Sequence, residues 1–274
     1  MVLYESICQR FHSPPLSSAT DLEVYLQQSA AWWCFVPPLE PRAFIRALAD
    51  IGYAGTDFAP PEYWTLIRDH NLQISCIQGH DSIELGLNRF EQHERIQREL
   101  ETAIRTAQQW QIPNIVCFSG SRYDTTDLEG LAITAEGLQR VAAIAEDAGV
   151  NLVLELLNSR VDHPGYQADR TAWGVAVCDL VDSPRVKLLF DIYHMQIMEG
   201  DLIRTIKMHH QQFGHYHTAG NPGRNEIDST QEINYGAVLK TVADTGFSGF
   251  VGHEFIPRGD AVKALISAFK QLKT

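Results

Sequence analysis

The chain has 274 residues, 45% of them hydrophobic, and a formal net charge of −12 with a pI near 5.3. That length suits one large domain or two small ones, and that apolar content suits a sizeable core rather than a disordered chain. So acidic a surface repels phosphate backbones and excludes nucleic acid as a partner unless a local basic patch exists. None is found, since the densest basic segment, Arg89 to Arg105, is interleaved with Glu91, Glu94, Glu99 and Glu101 and reads as a solvated helix face with i,i+4 pairs.

In chain order, "EVYLQQSA" reads as a first strand. Pro41 opens a helix that runs to Asp50 and stops at Gly52. "AGTDF" is a short second strand, "PPEYWTLIRDH" a helix and "LQISCIQG" a third strand. A long helix is expected over Arg89 to Gln109, because Ile96, Leu100, Ala103, Ile104 and Ala107 recur at helical spacing. "NIVCFSG" is the fourth strand, and its helix ends at Ala148 before Gly149. Then come "VNLVLELLN", a helix from about Thr171, "VKLLFDIYH", and a helix from about Asp201. "FGHYHTAG", a helix from about Tyr235, "GFVGHEF" and a final helix complete the series.

Strands that alternate with helices imply a parallel sheet, and short, nearly continuous apolar strands imply that both faces are covered. Eight such units in about 250 residues fit an α/β fold of the closed (β/α)₈ TIM barrel kind. The competing open sheet lacks support, because no GxGxxG follows the first strand and no GxxxxGK[ST] occurs. Residues 1–22, with "HSPPLSSAT", read as an N-terminal extension and residues 23–274 as the barrel.

The five cysteines, Cys8, Cys34, Cys76, Cys117 and Cys178, are scattered without CxxC spacing, which implies a reduced, cytoplasmic setting. Cys76 and Cys117 lie in apolar runs and read as inert core residues. The N-terminus lacks the apolar stretch of a secretory signal, and no apolar run is long enough to span a membrane.

Strands five to eight share a chemistry. They end at Glu155 in "LVLELLN", Asp191 in "LLFDIYH", His217 in "GHYHTAG" and Glu254 in "VGHEF". In a barrel these ends lie on one rim, the rim that carries barrel active sites. Singly, each residue has a structural explanation; a strand-end Asp, for example, commonly caps the next helix. Together, three carboxylates in a small space repel one another unless a cation neutralises them. Three oxygens and one imidazole suit Mg²⁺ or Mn²⁺, with Co²⁺ also admissible, and no cysteine joins the pattern to suggest a thiolate zinc site.

Weaker candidates surround these four. His194 lies three residues past Asp191, placed to face the same site or to sit in a loop. Arg224, in "NPGRNEID", could grip a substrate carboxylate as a fork or pair with Glu226. His80 ends the third strand in "IQGHD", and Trp32 and Trp33 follow the first, as pocket wall or as packing. His253 is expected to point away from the side of Glu254.

"FDIYHMQIMEGDL", "GHYHTAGNPGRNEIDSTQEINY" and "GFVGHEF" resemble the hydroxypyruvate isomerase group of the xylose isomerase-like barrels. The resemblance is densest from Glu155 to Glu254 and extends more loosely back through "IPNIVCFSG" and "WWCF". It implies a metal held by Glu155, Asp191, His217 and Glu254, with Glu155 and Glu254 flanking the substrate as acid/base groups. It also implies that His194 and Arg224 contact substrate. One feature departs from part of the group: some hydroxypyruvate isomerases carry an amide side chain where this chain has His217, whereas related ketose 3-epimerases carry histidine. That difference bears on the substrate, not on metal binding.

The resulting expectation is an aldose–ketose type isomerase that interconverts hydroxypyruvate and tartronate semialdehyde through a metal-stabilised enediolate. A ketose 3-epimerase, or an isomerase of a related sugar or four-carbon sugar acid, would use the same parts. An endonuclease IV-like phosphodiesterase would need more ligating histidines and a basic groove. A degenerate, non-catalytic binding barrel would require lost ligand positions. The partner is thus a small hydroxy-carbonyl acid or sugar, with homo-oligomerisation left open.

Overall fold

The computed structural model describes residues 26–271. The expected extension over residues 1–22, Cys8 and the first residues of "EVYLQQSA" lie outside that range. Eight strands run β1 (Gln27–Ala31), β2 (Gly55–Asp57), β3 (Gln73–Gln78), β4 (Asn114–Cys117), β5 (Asn151–Glu155), β6 (Val186–Asp191), β7 (Phe213–Thr218) and β8 (Phe250–His253). Each pairs in parallel with its sequence neighbour, and β1 pairs with β8 from Gln27↔Phe250 to Ala30↔His253, so the sheet closes on itself. This is the TIM barrel that the strand–helix alternation predicts.

Burial explains why the strands read as apolar runs. Leu152, Val153 and Leu154 in β5 and Leu188, Leu189 and Phe190 in β6 are all fully buried, half facing the interior and half the surrounding helices. The helix layer follows from local signals. In α2 (Pro41–Ile51) the Glu40 side chain accepts from Ala43 N, proline opens the first turn, and Gly52 ends it at φ 104°. In α5 (Asp127–Ala148) Thr126 and Glu129 form a capping box. In α4 (His93–Trp110) Ile96, Leu100, Ile104 and Ala107 form the buried stripe, each large side chain contributing about 1.5–3 kcal/mol by leaving water.

Three features differ from the sequence expectation. The long helix starts at His93 rather than Arg89, after a tight turn at Phe90–Gln92. A short helix, α1 (Trp32–Phe35), follows β1 directly, and another, α7 (Ile192–Met198), follows β6 before α8 (Leu202–His209). Both extra turns sit at the carboxyl ends of strands, where functional loops of a barrel lie. The remaining helices are α3 (Trp64–Asp69), α6 (Thr171–Val181), α9 (Tyr235–Asp244) and α10 (Ala261–Gln271). No helix among the described residues is long and apolar enough to cross a membrane.

Candidate metal centre

Parallel pairing places the ends of β5 to β8 side by side, with Asp191 opposite His217 in the β6–β7 ladder. Glu155, Asp191, His217 and Glu254 each offer one ligand atom, and these atoms lie within 4.8 Å of one another. All four are buried, His217 completely. The imidazole sits between the glutamates: its Nδ1 is 3.5 Å from Glu155 Oε1 and 3.3 Å from Glu254 Oε2. Neither ring nitrogen makes a hydrogen bond. Buried polar atoms without partners are costly, and these four groups could hold a metal ion.

The carboxylates differ in their surroundings. Burial pushes Asp191 up to about 7. Burial also raises Glu155, as does the charge of Glu254. Burial acts on Glu254 in the same direction, but His217 and Arg224 outweigh it and hold this carboxyl below the usual range. Trp33 Nε1 donates to Glu254 Oε1 at 2.9 Å, and Arg224 Nη2 donates to Oε2 at 2.6 Å. Glu155 by contrast receives no side-chain hydrogen bond among the described residues. Asp191 has two jobs: it caps α7 by accepting from His194 N at 3.0 Å, and it still belongs to the cluster. The structural and the chemical explanations of a strand-end aspartate therefore hold together.

Arg224 reaches the centre because its loop turns back. Gly223 at φ 98° and Arg224 at φ 55° are both left-handed, and Gly220 bridges to Asn225. The guanidinium stacks over Trp33 at 5.2 Å and Tyr193 at 5.7 Å, and its buried Nε has no partner. The alternative pairing with Glu226 is not what forms, because Glu226 binds Arg258 instead, at 2.9 Å. His194 is fully buried beside Asp191. Asn158 Nδ2 donates to its Nδ1 at 2.6 Å, which leaves the proton on Nε2, 3.7 Å from Asp191 Oδ2. Burial, then the Arg224 charge, keeps this imidazole neutral. His80 is elsewhere in the hydrogen-bond network: its Nε2 accepts from Phe118 N at 3.0 Å and its Nδ1 meets Asp81 O at 3.2 Å. Both ring nitrogens are thus committed to backbone.

A cavity of about 1080 Å³ opens onto Glu155 and Glu254, bounded by Trp33, Phe58, Trp64, Phe118, His163 and Arg224. Trp33 therefore walls the cavity while Trp32 packs in the core. His253 turns away, as strand alternation requires, onto Thr218 Oγ1 and Gln28 Oε1. Cys34, Cys76, Cys117 and Cys178 are free thiols and buried.

A second cluster lies below the first. Asp57, at the end of β2, and His215, two residues before His217 on the same face, join Cys76 and His217 within the same mutual distance of 4.8 Å. Sequence reasoning passed over Asp57 and His215. The signal for Asp57 was present, a carboxylate at a strand end in "AGTDF", but the strand is only three residues long and shows no apolar run. His163 on the β5–α6 loop was missed as well, and no spacing marks it.

Comparison with known proteins places the chain in a family. The profile of the xylose isomerase-like TIM barrels matches residues 45–272. The chain belongs to that family. A human protein provisionally named a hydroxypyruvate isomerase is 30% identical over 249 residues, covering 85% of this chain and 90% of its own length. A 2-oxo-tetronate isomerase of Cupriavidus necator is 38% identical over 138 residues, half of each chain. Among solved structures, an AP endonuclease family 2 protein from Brucella melitensis aligns with a TM-score of 0.80 at 23% identity, covering 88% of this chain and 97% of that one. At that identity the likeness is one of fold. With relatives of these names, this xylose isomerase-like barrel is an isomerase of the family.

Proposed function

We propose that the protein isomerises a small hydroxy-carbonyl acid, with hydroxypyruvate and tartronate semialdehyde as the leading pair. The observation that carries this reading is Arg224: a part-buried guanidinium whose buried Nε has no partner, paired with Glu254 on the cavity that Glu155 also lines. A fixed cation with a free donor fits a substrate carboxylate. The donor set of Glu155, Asp191, His217 and Glu254, buried and with both His217 ring nitrogens unbonded, suits a hard divalent ion such as Mg²⁺, Mn²⁺ or Co²⁺. When bound, such an ion would supply positive charge to offset that of an enediolate.

The chain's own groups then divide the proton work. Glu155, free of hydrogen-bond donors, takes the proton from the hydroxymethyl carbon of hydroxypyruvate and returns it to the adjacent former carbonyl carbon. Glu254, pinned by Trp33 and Arg224, faces the oxygens and passes the hydroxyl proton from one to the other. His194, neutral and carrying its proton on Nε2, lies beside Asp191 with that nitrogen 3.7 Å from Oδ2. Phe58, Trp64 and Phe118 make part of the wall apolar, while Arg95, Arg98 and Glu99 line the cavity as well.

The cavity favours a second reading. About 1080 Å³ is ample for a drug-sized ligand and far exceeds a three-carbon acid. A four-carbon 2-oxo acid, or a ketose in a 3-epimerase reaction, would fill more of it. The test is a substrate panel on metal-stripped protein reconstituted with Mg²⁺, Mn²⁺ or Co²⁺, with products followed by NMR. Turnover of hydroxypyruvate or a four-carbon oxo acid supports the acid reading. Turnover of neutral ketoses alone overturns it.

A further inference from the structure

Apart from the shared His217, the second cluster has no part in the chemistry above, yet it holds a buried carboxylate. Asp57 is fully buried. Its Oδ1 accepts from the Ser75 hydroxyl, and its Oδ2 has no hydrogen-bond partner. That free oxygen lies 3.3 Å from His217 Nε2 and 3.6 Å from His215 Nε2. Space is reserved for it: a Cβ built at Gly252, the residue that pairs with His217 across the β7–β8 ladder, would collide with Asp57 Oδ2. A buried carboxylate without a role is expensive, so its partners identify its purpose.

We infer that Asp57 is a positioning residue for the metal centre, fixing His217 so that Nδ1 presents a lone pair to the ion. The inference rests on the metal reading of Glu155, Asp191, His217 and Glu254. A neutral imidazole has one N–H and one lone pair. Nδ1 of His217 faces Glu155 and Glu254, so a ligand role requires the proton to sit on Nε2. Asp57 Oδ2 is the carboxylate oxygen facing that nitrogen, and the present 3.3 Å is a charge-pair approach that can close into a hydrogen bond when the ring is held by an ion. Ser75 anchors the other oxygen and keeps the carboxylate aimed. A competing arrangement would place a second ion among Asp57, Cys76, His215 and His217. It would consume the same Nε2, and Asp57, Cys76 and His215 do not border the cavity that opens onto Glu155 and Glu254.

The test compares metal-stripped wild type with Asp57→Asn, which keeps the shape and removes the charge. Mn²⁺ affinity is measured by titration calorimetry, with the thermal midpoint of each apo protein as the control for folding. The expected result is an affinity roughly 10–100-fold weaker in Asp57→Asn, with the apo midpoint largely kept. A second readout needs no variant: ¹⁵N-histidine NMR of the wild type loaded with diamagnetic Zn²⁺ should show His217 as the Nε2–H tautomer. Equal affinities in the two proteins overturn the inference and leave the metal centre standing. An Nδ1–H tautomer in the loaded wild type overturns it even if Asp57→Asn fails to fold. Two ions per chain, one lost in Cys76→Ser, overturn it in favour of a ligand role. If wild type takes up no ion, the four-residue centre falls, and this inference with it.

Discussion

Arg224 Nη2 donates to Glu254 Oε2 at 2.6 Å, joining the loop after β7 to the end of β8. On sequence grounds a carboxylate-reading arginine would be expected to act on substrate binding alone. The pair changes that. Arg224→Ala should raise KM for an anionic substrate and also lower kcat, because Glu254 loses the partner that holds it. Arg224→Lys should keep some charge but lose the fork and the stacking on Trp33. Steady-state kinetics on hydroxypyruvate and on a neutral ketose separate the two effects. Equal losses on both substrates would show that Arg224 reads no carboxylate.

Glu155→Gln and Glu254→Gln should each reduce kcat by roughly 10²–10⁴-fold at saturating metal, the usual cost of losing one acid–base group. Pre-loading with excess Mn²⁺, checked by metal analysis, isolates proton transfer from weakened binding. A variant that keeps near-native kcat under those conditions has no proton-transfer role.

Chelation should abolish turnover and lower the melting midpoint, because an ion bound only by the folded protein stabilises it. At a free concentration 100 times Kd the gain is about 2.7 kcal/mol. Differential scanning fluorimetry across an Mg²⁺, Mn²⁺ and Co²⁺ series measures it. A midpoint indifferent to all three, with turnover intact in chelator, would count against the centre.

His80 leads to a stability prediction. It is buried, and its Nε2 is the acceptor for Phe118 N. His80→Ala strands that buried donor and should cost about 1–3 kcal/mol. Burial lowers the folded-state pKa of His80, so the neutral ring is the folded form. Its contribution is then complete above the unfolded value of about 6.5 and is lost as pH falls below it. Denaturant melts of wild type from neutral to mildly acidic pH should slope downward, and His80→Ala should flatten that slope. An unchanged slope together with a raised KM would return His80 to the list of substrate contacts.

Much of the architecture was legible because a barrel writes its rule locally: an apolar run of strand length, then a cap, then a helical stripe. Glu155, Asp191, His217 and Glu254 stood out because each interrupts or ends such a run. Asp57 follows the same rule on a strand too short to show it. His215 was hidden by proximity, since a residue two places before His217 shares its face but reads as part of the same motif. The Arg224–Glu254 pairing was not readable, because it depends on left-handed backbone at Gly223 and Arg224 in a loop with no periodicity. The helix Ile192–Met198 was absorbed into the expected strand end because Asp191 is both the last strand residue and the helix cap.

Trp33 and Glu254 follow the first and last strands of the ring, and their hydrogen bond spans the β1–β8 pairing that closes it. The site is therefore a latch across the final joint, complete only once residues 221 positions apart have met. Contacts so distant in sequence form late and slowly during folding. A chain whose first seven strands were assembled would still lack Glu254 and could not show activity. Parting of this one joint under mild denaturant would silence the enzyme while most helical structure survived, so activity should fade at lower urea than the far-ultraviolet dichroism does.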